Sequence, residues 1–176
     1  MPLSTKINML CRQTGRHIVD TPAQPLLACL RMTLPALADF ATPAAVVDEY
    51  LRLLMIPDPE AARRFVAPDL RIRFTGGRAM RDPAECAAFN ATRYRWVKKC
   101  VERTETVAGG SAAETVVYSI GTLVGEWPDG TPFEGNRYVD RYVVRDLRIA
   151  VMEVWNDSAE WLLVRAGLAT LEGGAR

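Results

Sequence analysis

The sequence predicts an α+β domain in which helices come first and a long, bent, largely antiparallel sheet follows. Three observations predict it. Thr42-Pro43, Asp58-Pro59 and Asp82-Pro83 each place a capping side chain before a proline at the first helical position. From Trp96 onward the apolar period changes to two, with four strands joined by short turns. Glycines at 121 and 125 fall inside the second of these strands, where they mark bulges or sharp bends. A bent sheet wrapped around early helices leaves a cavity between them, and function is expected there.

The elements follow in order. After Pro43, Val46, Val47, Tyr50, Leu51 and Leu54 recur at helical spacing with Asp48, Glu49 and Arg52 between them, and Pro57 stops this helix. The second helix runs from Asp58-Pro59 through Ala61, Ala62 and Phe65 to Pro68. Leu70-Arg71-Ile72-Arg73-Phe74 alternates strictly up to Gly76-Gly77, a half-buried strand. The third helix, opened by Asp82-Pro83, carries Cys86, Phe89 and Tyr94. Strands then cover 96–107, 112–126, 133–145 and 149–156, with turns at Gly109-Gly110, Trp127-Pro128-Asp129-Gly130 and Arg145-Asp146-Leu147-Arg148. Asp157-Ser158-Ala159-Glu160 has capping-box spacing and opens a short final helix through Trp161 and Leu162.

Length and charge narrow the function. The 176 residues read as one domain over 42–170, preceded by a flexible basic leader (1–41) and followed by a tail (171–176). Twenty-two Lys and Arg face 21 Asp and Glu, so the chain lacks the cationic field that nucleic-acid binding requires. Tyr94-Arg95-Trp96-Val97-Lys98-Lys99 mixes rings with cations, but without a wider basic field it reads as a solvated helix-to-strand junction. The single histidine, His17, lies near the N-terminus, which excludes histidine metal sites and Ser–His or Cys–His nucleophiles from the main domain. No glycine loop has phosphate-cradling spacing, and no stretch approaches a membrane span. No metal, nucleotide or flavin is implied. Leu26-Leu27-Ala28-Cys29 is similar to a lipoprotein cleavage site, yet Asp20, Pro22, Gln24 and Pro25 interrupt the apolar core that such a signal needs. Met32 is an alternative start. Cys11, Cys29, Cys86 and Cys100 show no paired spacing and read as reduced thiols, which suits the cytoplasm; a Cys86–Cys100 disulfide is the alternative.

On the strand from 136 to 144, Asn136, Tyr138, Asp140, Tyr142 and Val144 share one face, and Arg137, Val139, Arg141, Val143 and Arg145 share the other. An aspartate flanked by two tyrosines on a central strand is costly unless hydrogen-bonded. Burial in general favours the protonated carboxyl, so such a residue is a candidate neutral donor or a base near neutrality. The alternative is that Asp140 bonds its Tyr or Asn neighbours and stabilises the sheet. Glu153 points away from this face, and Asp157 reads as a helix cap.

Three runs carry a resemblance: Gly125-Glu126-Trp127-Pro128-Asp129-Gly130-Thr131-Pro132-Phe133, Asn136-Arg137-Tyr138-Val139-Asp140-Arg141-Tyr142, and Val154-Trp155-Asn156-Asp157. Over roughly 42–168 the chain resembles the SnoaL-like polyketide-cyclase family of the nuclear-transport-factor-2-like superfamily. The resemblance implies a cone-shaped curved sheet around three helices. The superfamily includes isomerases, cyclases, dehydratases, epoxide hydrolases and non-catalytic modules, so the fold does not carry the function with it.

With Val144 paired to Ile149, Asp140 falls where ketosteroid isomerases of this superfamily place an oxyanion-hole acid. Tyr50-Leu51-Arg52-Leu53-Leu54, followed by Asp58 and Glu60, resembles the isomerase helix that presents a tyrosine donor; a core tyrosine is the alternative. The position matching the isomerase's catalytic carboxylate holds Phe74, so that mechanism is not expected. The comparison turns Met152, Val154 and Asn156 toward the cavity and implies a homodimer through the convex sheet. The expectation is a cofactor-free isomerase, cyclase or dehydratase acting on a small apolar carbonyl or hydroxy compound. Asp140 and Tyr50 would be catalytic, and Phe74, Tyr138, Tyr142, Met152, Val154 and Asn156 would line the pocket. The alternative is a non-catalytic ligand-binding or dimerisation module of the same fold.

Overall fold

A computed structural model describes residues 37–170; most of the expected leader and all of the expected tail lie outside the described residues. Each Pro-led helix starts as its cap dictates. Thr42 accepts from the Ala45 N–H at 3.2 Å and opens α1 (Pro43–Met55), and Asp58 accepts from Ala61 at 3.0 Å and opens α2 (Pro59–Ala62). Asp82 accepts from Ala84 at 2.7 Å and opens α3 (Pro83–Arg93). The second helix is shorter than its apolar pattern suggests, because it tightens into a 3-10 turn over Arg63–Phe65. A further 3-10 turn spans Leu37–Asp39, and the Phe40 ring beyond it meets Phe65 edge to face.

Six strands form one sheet: β1 (Val66–Phe74), β2 (Arg78–Met80), β3 (Trp96–Ala108), β4 (Glu114–Glu126), β5 (Pro132–Arg145) and β6 (Arg148–Asn156). Their order is β2-β1-β6-β5-β4-β3, with β1 and β6 parallel and every other pair antiparallel. The first strand begins at Val66 rather than Leu70. Pro68, which has no N–H to give a ladder, lies in the irregular stretch between the Val66↔Ile149 and Arg71↔Val151 pairings. The edge strand β2 is too short for a period to reveal. Asp146 and Leu147 both have positive φ, at 50° and 54°, so the β5–β6 hairpin is the tight primed kind that matches strand twist.

The final helix, α4 (Ser158–Arg165), corrects one expectation: the Asp157 carboxylate makes no cap and instead accepts from Arg137 at 2.6 Å. Asp157 keeps the N-cap position, but with its carboxylate turned to Arg137 the preceding Asn156 takes the Ser158 N–H on Oδ1 at 3.1 Å. Cys86 is buried with a free thiol, so it is not joined to Cys100. Cys100 is disulfide-bonded, which corrects the reading of four reduced thiols; pairing depends on distance in space, which sequence spacing does not give.

Irregular register curves the sheet. Glu102 is the extra residue opposite Gly121 and Ile120, Gly135 the extra residue between Glu134 and Asn136, and Ala150 the extra residue between Ile149 and Val151. Inside the curve α1 packs Val46, Val47, Tyr50 and Leu51 against Ile72, Val117, Tyr142, Met152 and Val154. A second, smaller cluster holds Tyr94, Leu123, Trp127, Phe133 and Tyr138, with the Trp127 and Phe133 rings 4.5 Å apart.

Gly121 is fixed by close approach, since a Cβ there would stand 2.1 Å from the Cys100 carbonyl oxygen. At Gly110 the nearest group would be a flexible Glu114 side chain at 3.7 Å. Urea unfolding should therefore show Gly121→Ala destabilised by at least about 2 kcal/mol and Gly110→Ala changed by less than about 1 kcal/mol.

Candidate functional site

Asp140 sits on the inner face of β5 between the two clusters. Along that face Tyr138 belongs to the smaller cluster, Tyr142 belongs to the larger one, and the carboxylate lies in the seam. Asp140 has no solvent exposure. Tyr142 donates its hydroxyl to Asp140 Oδ2 at 2.8 Å, and the Lys99 ammonium forms an ion pair with the same oxygen. Oδ1 is buried and has no hydrogen-bond partner.

Lys99 arrives from β3, two strands away. Its Cα partners Leu123 on β4, which in turn partners Asn136 on β5. From there the side chain reaches toward Asp140 over the Tyr138 ring, with Nζ 3.9 Å from the centroid. The inward residues of β4 opposite Asp140 and Tyr138 are Ser119 and Gly121. Only 17% of the Lys99 side chain is exposed. Burial pulls its pKa below the ordinary lysine value, against the opposing pull of Asp140.

The tyrosines differ in what their hydroxyls do. Tyr138 shares a 3.0 Å hydrogen bond with Ser119 Oγ. Tyr50, fully buried on α1, reaches only the thioether of Met152 at 3.5 Å, a weak acceptor that leaves its O–H available. The Tyr50 and Tyr142 rings meet edge to face at 6.2 Å. Burial raises the pKa of both well above the usual phenol value, with the nearby Asp140 charge adding to it, so both are donors at neutral pH. Burial likewise pushes the Cys86 thiol up to about 12, far from the range of a reactive thiolate.

The structure therefore brings Asp140, Tyr142, Tyr50, Tyr138, Met152 and Val154 together inside the sheet, Val154 as the β6 backbone partner of Asp140. Phe74 is buried at the end of β1, its ring turned edge-on to Phe89 at 5.4 Å. Asn156 lies apart, capping α4 and lining an outer groove. Sequence reasoning missed Lys99 by assigning it to a solvated junction. Period two from Val97 was the available signal: Lys98 is exposed and Lys99 turns inward. Asn136 was placed on the inner face but given no role. It is fully buried, donates Nδ2 to Ser158 Oγ at 3.4 Å, and leaves its own Oδ1 without a partner. Among the described residues no group of three or more His, Cys, Asp or Glu is placed to hold a metal, and no helix is long and apolar enough to cross a membrane.

Several solved structures share this architecture over nearly their whole length. An NTF2-like protein of unknown function from Burkholderia pseudomallei K96243 matches with a TM-score of 0.56 at 19% identity, covering 70% of this chain and 96% of that one. The chain has the NTF2-like fold. TerC, co-crystallised with polyporic acid, matches this NTF2-like chain at 0.54 and 17% identity over 69% of it and 96% of TerC. A putative polyketide cyclase from Pseudomonas putida KT2440 matches at 0.52 and 14% identity over the same shares of the two chains. No protein-family model matches the sequence, and no curated protein does.

An ion pair this deeply buried costs most when half of it is removed. Lys99→Met or Asp140→Leu alone should each lower the unfolding free energy by about 3–5 kcal/mol. The Lys99→Met/Asp140→Leu double variant should recover at least about 1 kcal/mol relative to the sum of the two. Strict additivity in denaturant titrations would show that the pair is not coupled.

Proposed function

We propose that this NTF2-like domain is a SnoaL-like, cofactor-free enzyme that moves a proton on a small, largely apolar carbonyl compound. One observation supports the reading: Asp140 Oδ1 is a solvent-excluded acceptor with no hydrogen-bond partner within the protein, while its other oxygen is held by Tyr142 and Lys99. A buried polar atom left open in this way calls for an explanation, and a reactive role is one. Oδ1 takes the proton from the carbon beside the carbonyl, the C–H electrons move into the carbonyl, and the Tyr50 O–H donates to the developing enolate oxygen. Return of the proton to a different carbon gives an isomer. Attack of the enolate carbon on a second electrophilic carbon closes a ring, and loss of a β-hydroxyl as water gives a dehydration. Lys99 and Tyr142 act as positioning residues that fix the carboxylate. Met152, Val154, Phe74, Tyr138 and Tyr142, all buried, would wall the substrate once the packing around Asp140 opens. The putative polyketide cyclase among the structural neighbours supports this class of chemistry through the fold alone.

A second reading, a non-catalytic ligand-binding or dimerisation module, draws on the complete burial of Asp140, Tyr50 and Tyr142. Deuterium exchange at the α-carbons of a panel of apolar ketones, followed by NMR, separates the two. The parent should exchange at least one ketone, Asp140→Asn should lose roughly 10²–10⁴-fold, and Tyr50→Phe roughly 10²-fold. Ketones that bind without exchange in the parent would establish the module instead.

We infer further that two copies pair through the convex sheet. Trp155 and Val139, cross-strand partners on β6 and β5, are 51% and 38% exposed, and Ile120 adjoins Val139 from β4. Sedimentation should give a dimer for the parent and a monomer for Val139→Glu/Trp155→Glu. A monomeric parent would exclude this interface.

A further inference from the structure

A groove of about 360 Å³ opens between the turn after β1, α3 and the start of α4, within the size range of small-molecule sites. Thr75, Arg78, Phe89, Arg93, Asn156 and Ala159 line it, with no carboxylate in the lining. Both guanidiniums lie over the Phe89 ring, Arg78 at 4.6 Å and Arg93 at 5.1 Å from the centroid. Neither forms an ion pair with an acid among the described residues, whereas Arg52, Arg63, Arg137, Arg141 and Arg145 each do.

The polar groups at the groove are arranged as donors. Arg93 spends one N–H on Thr75 Oγ1 at 3.2 Å, which leaves its other N–H groups and the Thr75 hydroxyl proton free. Asn156 spends its oxygen on the Ser158 N–H, which leaves its amide N–H₂ for the groove. Apart from the one Arg93 N–H that Thr75 accepts, the two guanidiniums stacked on this ring meet no side-chain acceptor among the described residues, and a hydroxyl and an amide donor stand beside them. Guanidinium geometry fits a carboxylate in two-point fashion, and Phe89 and Ala159 provide an apolar wall beside it. The volume suits a small molecule better than a macromolecular surface.

We propose that this groove binds the carboxylate of a small aromatic acid, with Arg78 and Arg93 as the clamp and Asn156 and Thr75 as supplementary donors. The site is separate from the interior carboxylate and does not depend on the proton-transfer reading.

Calorimetric titration with 2-naphthoate and its neutral counterpart 2-naphthamide tests the assignment. Naphthoate should bind at least roughly tenfold tighter than the amide, and Arg78→Gln and Arg93→Gln should each remove roughly tenfold of that affinity without affecting the amide. Arg78 is exposed and bears no structural hydrogen bond, so its variant folds normally even if loss of the Arg93–Thr75 contact disturbs the turn. Asp140→Asn should bind naphthoate as the parent does, so failure of the interior chemistry leaves this result untouched. Equal affinity for acid and amide, or unchanged naphthoate affinity in Arg78→Gln, would overturn the proposal.

Discussion

A carboxylate with no access to water must find its donors inside the protein, and Asp140 imposes that demand on the rest of the fold. Desolvating each member of an ion pair costs several kcal/mol, which the mutual attraction repays only when geometry and extra hydrogen bonds are good. Here the repayment comes from Lys99 and Tyr142 at one oxygen. The strand that delivers Lys99 also constrains β4. Beside Lys99 the β3 backbone comes so close to Gly121 that a Cβ there would stand 2.1 Å from the Cys100 carbonyl oxygen, and the bulge at Glu102 sits beside that glycine. Tyr138 is held under the ammonium by its own bond to Ser119, so the ring, the hydroxyl and the cation form one unit.

Stability alone is a weak reason to keep such a unit. Apolar side chains of similar volume in place of a buried pair are often neutral or better, and both flanking clusters are already apolar. The arrangement is also left incomplete, since Asp140 Oδ1 and Asn136 Oδ1 both lack partners. A purely structural network tends to satisfy its members, because each open buried acceptor costs roughly 1–3 kcal/mol. The open oxygens support the proposed reading, in which a substrate would reach Asp140 and Tyr50, neither of them exposed, only when the packing between α1 and the sheet opens.

Much of the scaffold was legible in the sequence because its signals are local. Three Pro-led caps, one change of period and two interior glycines are each decided by a few neighbouring residues, and they located α1, α2, α3 and the four long strands. The inner face of β5 was also legible, since alternation alone puts Asn136, Tyr138, Asp140 and Tyr142 on one side. What could not be read was which distant residue answers Asp140. Lys99 comes from a strand that is not even adjacent, and its neighbour Lys98 points outward in an otherwise ordinary basic run. The cap of α4 failed for a similar reason: Asp157 fits the capping pattern, but the nearby Arg137 takes its carboxylate, and Asn156 fills the cap instead. Non-local electrostatics overrode the local preference in both cases.

Phe74 lies between the interior that holds Asp140 and the outer arginine groove. Its ring packs with the larger core cluster on one side and against Phe89, the floor of the arginine groove, on the other. A carboxylate at this position would introduce a second negative charge between Asp140 and the two guanidiniums, and would give Arg78 or Arg93 an internal acid to pair with. The phenyl ring does neither. It leaves Asp140 as the only buried carboxylate among the described residues and leaves both arginines without an acid partner. With a phenyl ring rather than an acid at this position, the proposed proton transfer rests on Asp140, and the proposed anion clamp lies on the outer side of the aromatic pair. The two proposals divide the NTF2-like scaffold between them: the curved sheet fixes the interior face, and the turn after β1 with α3 and the start of α4 builds the outer groove.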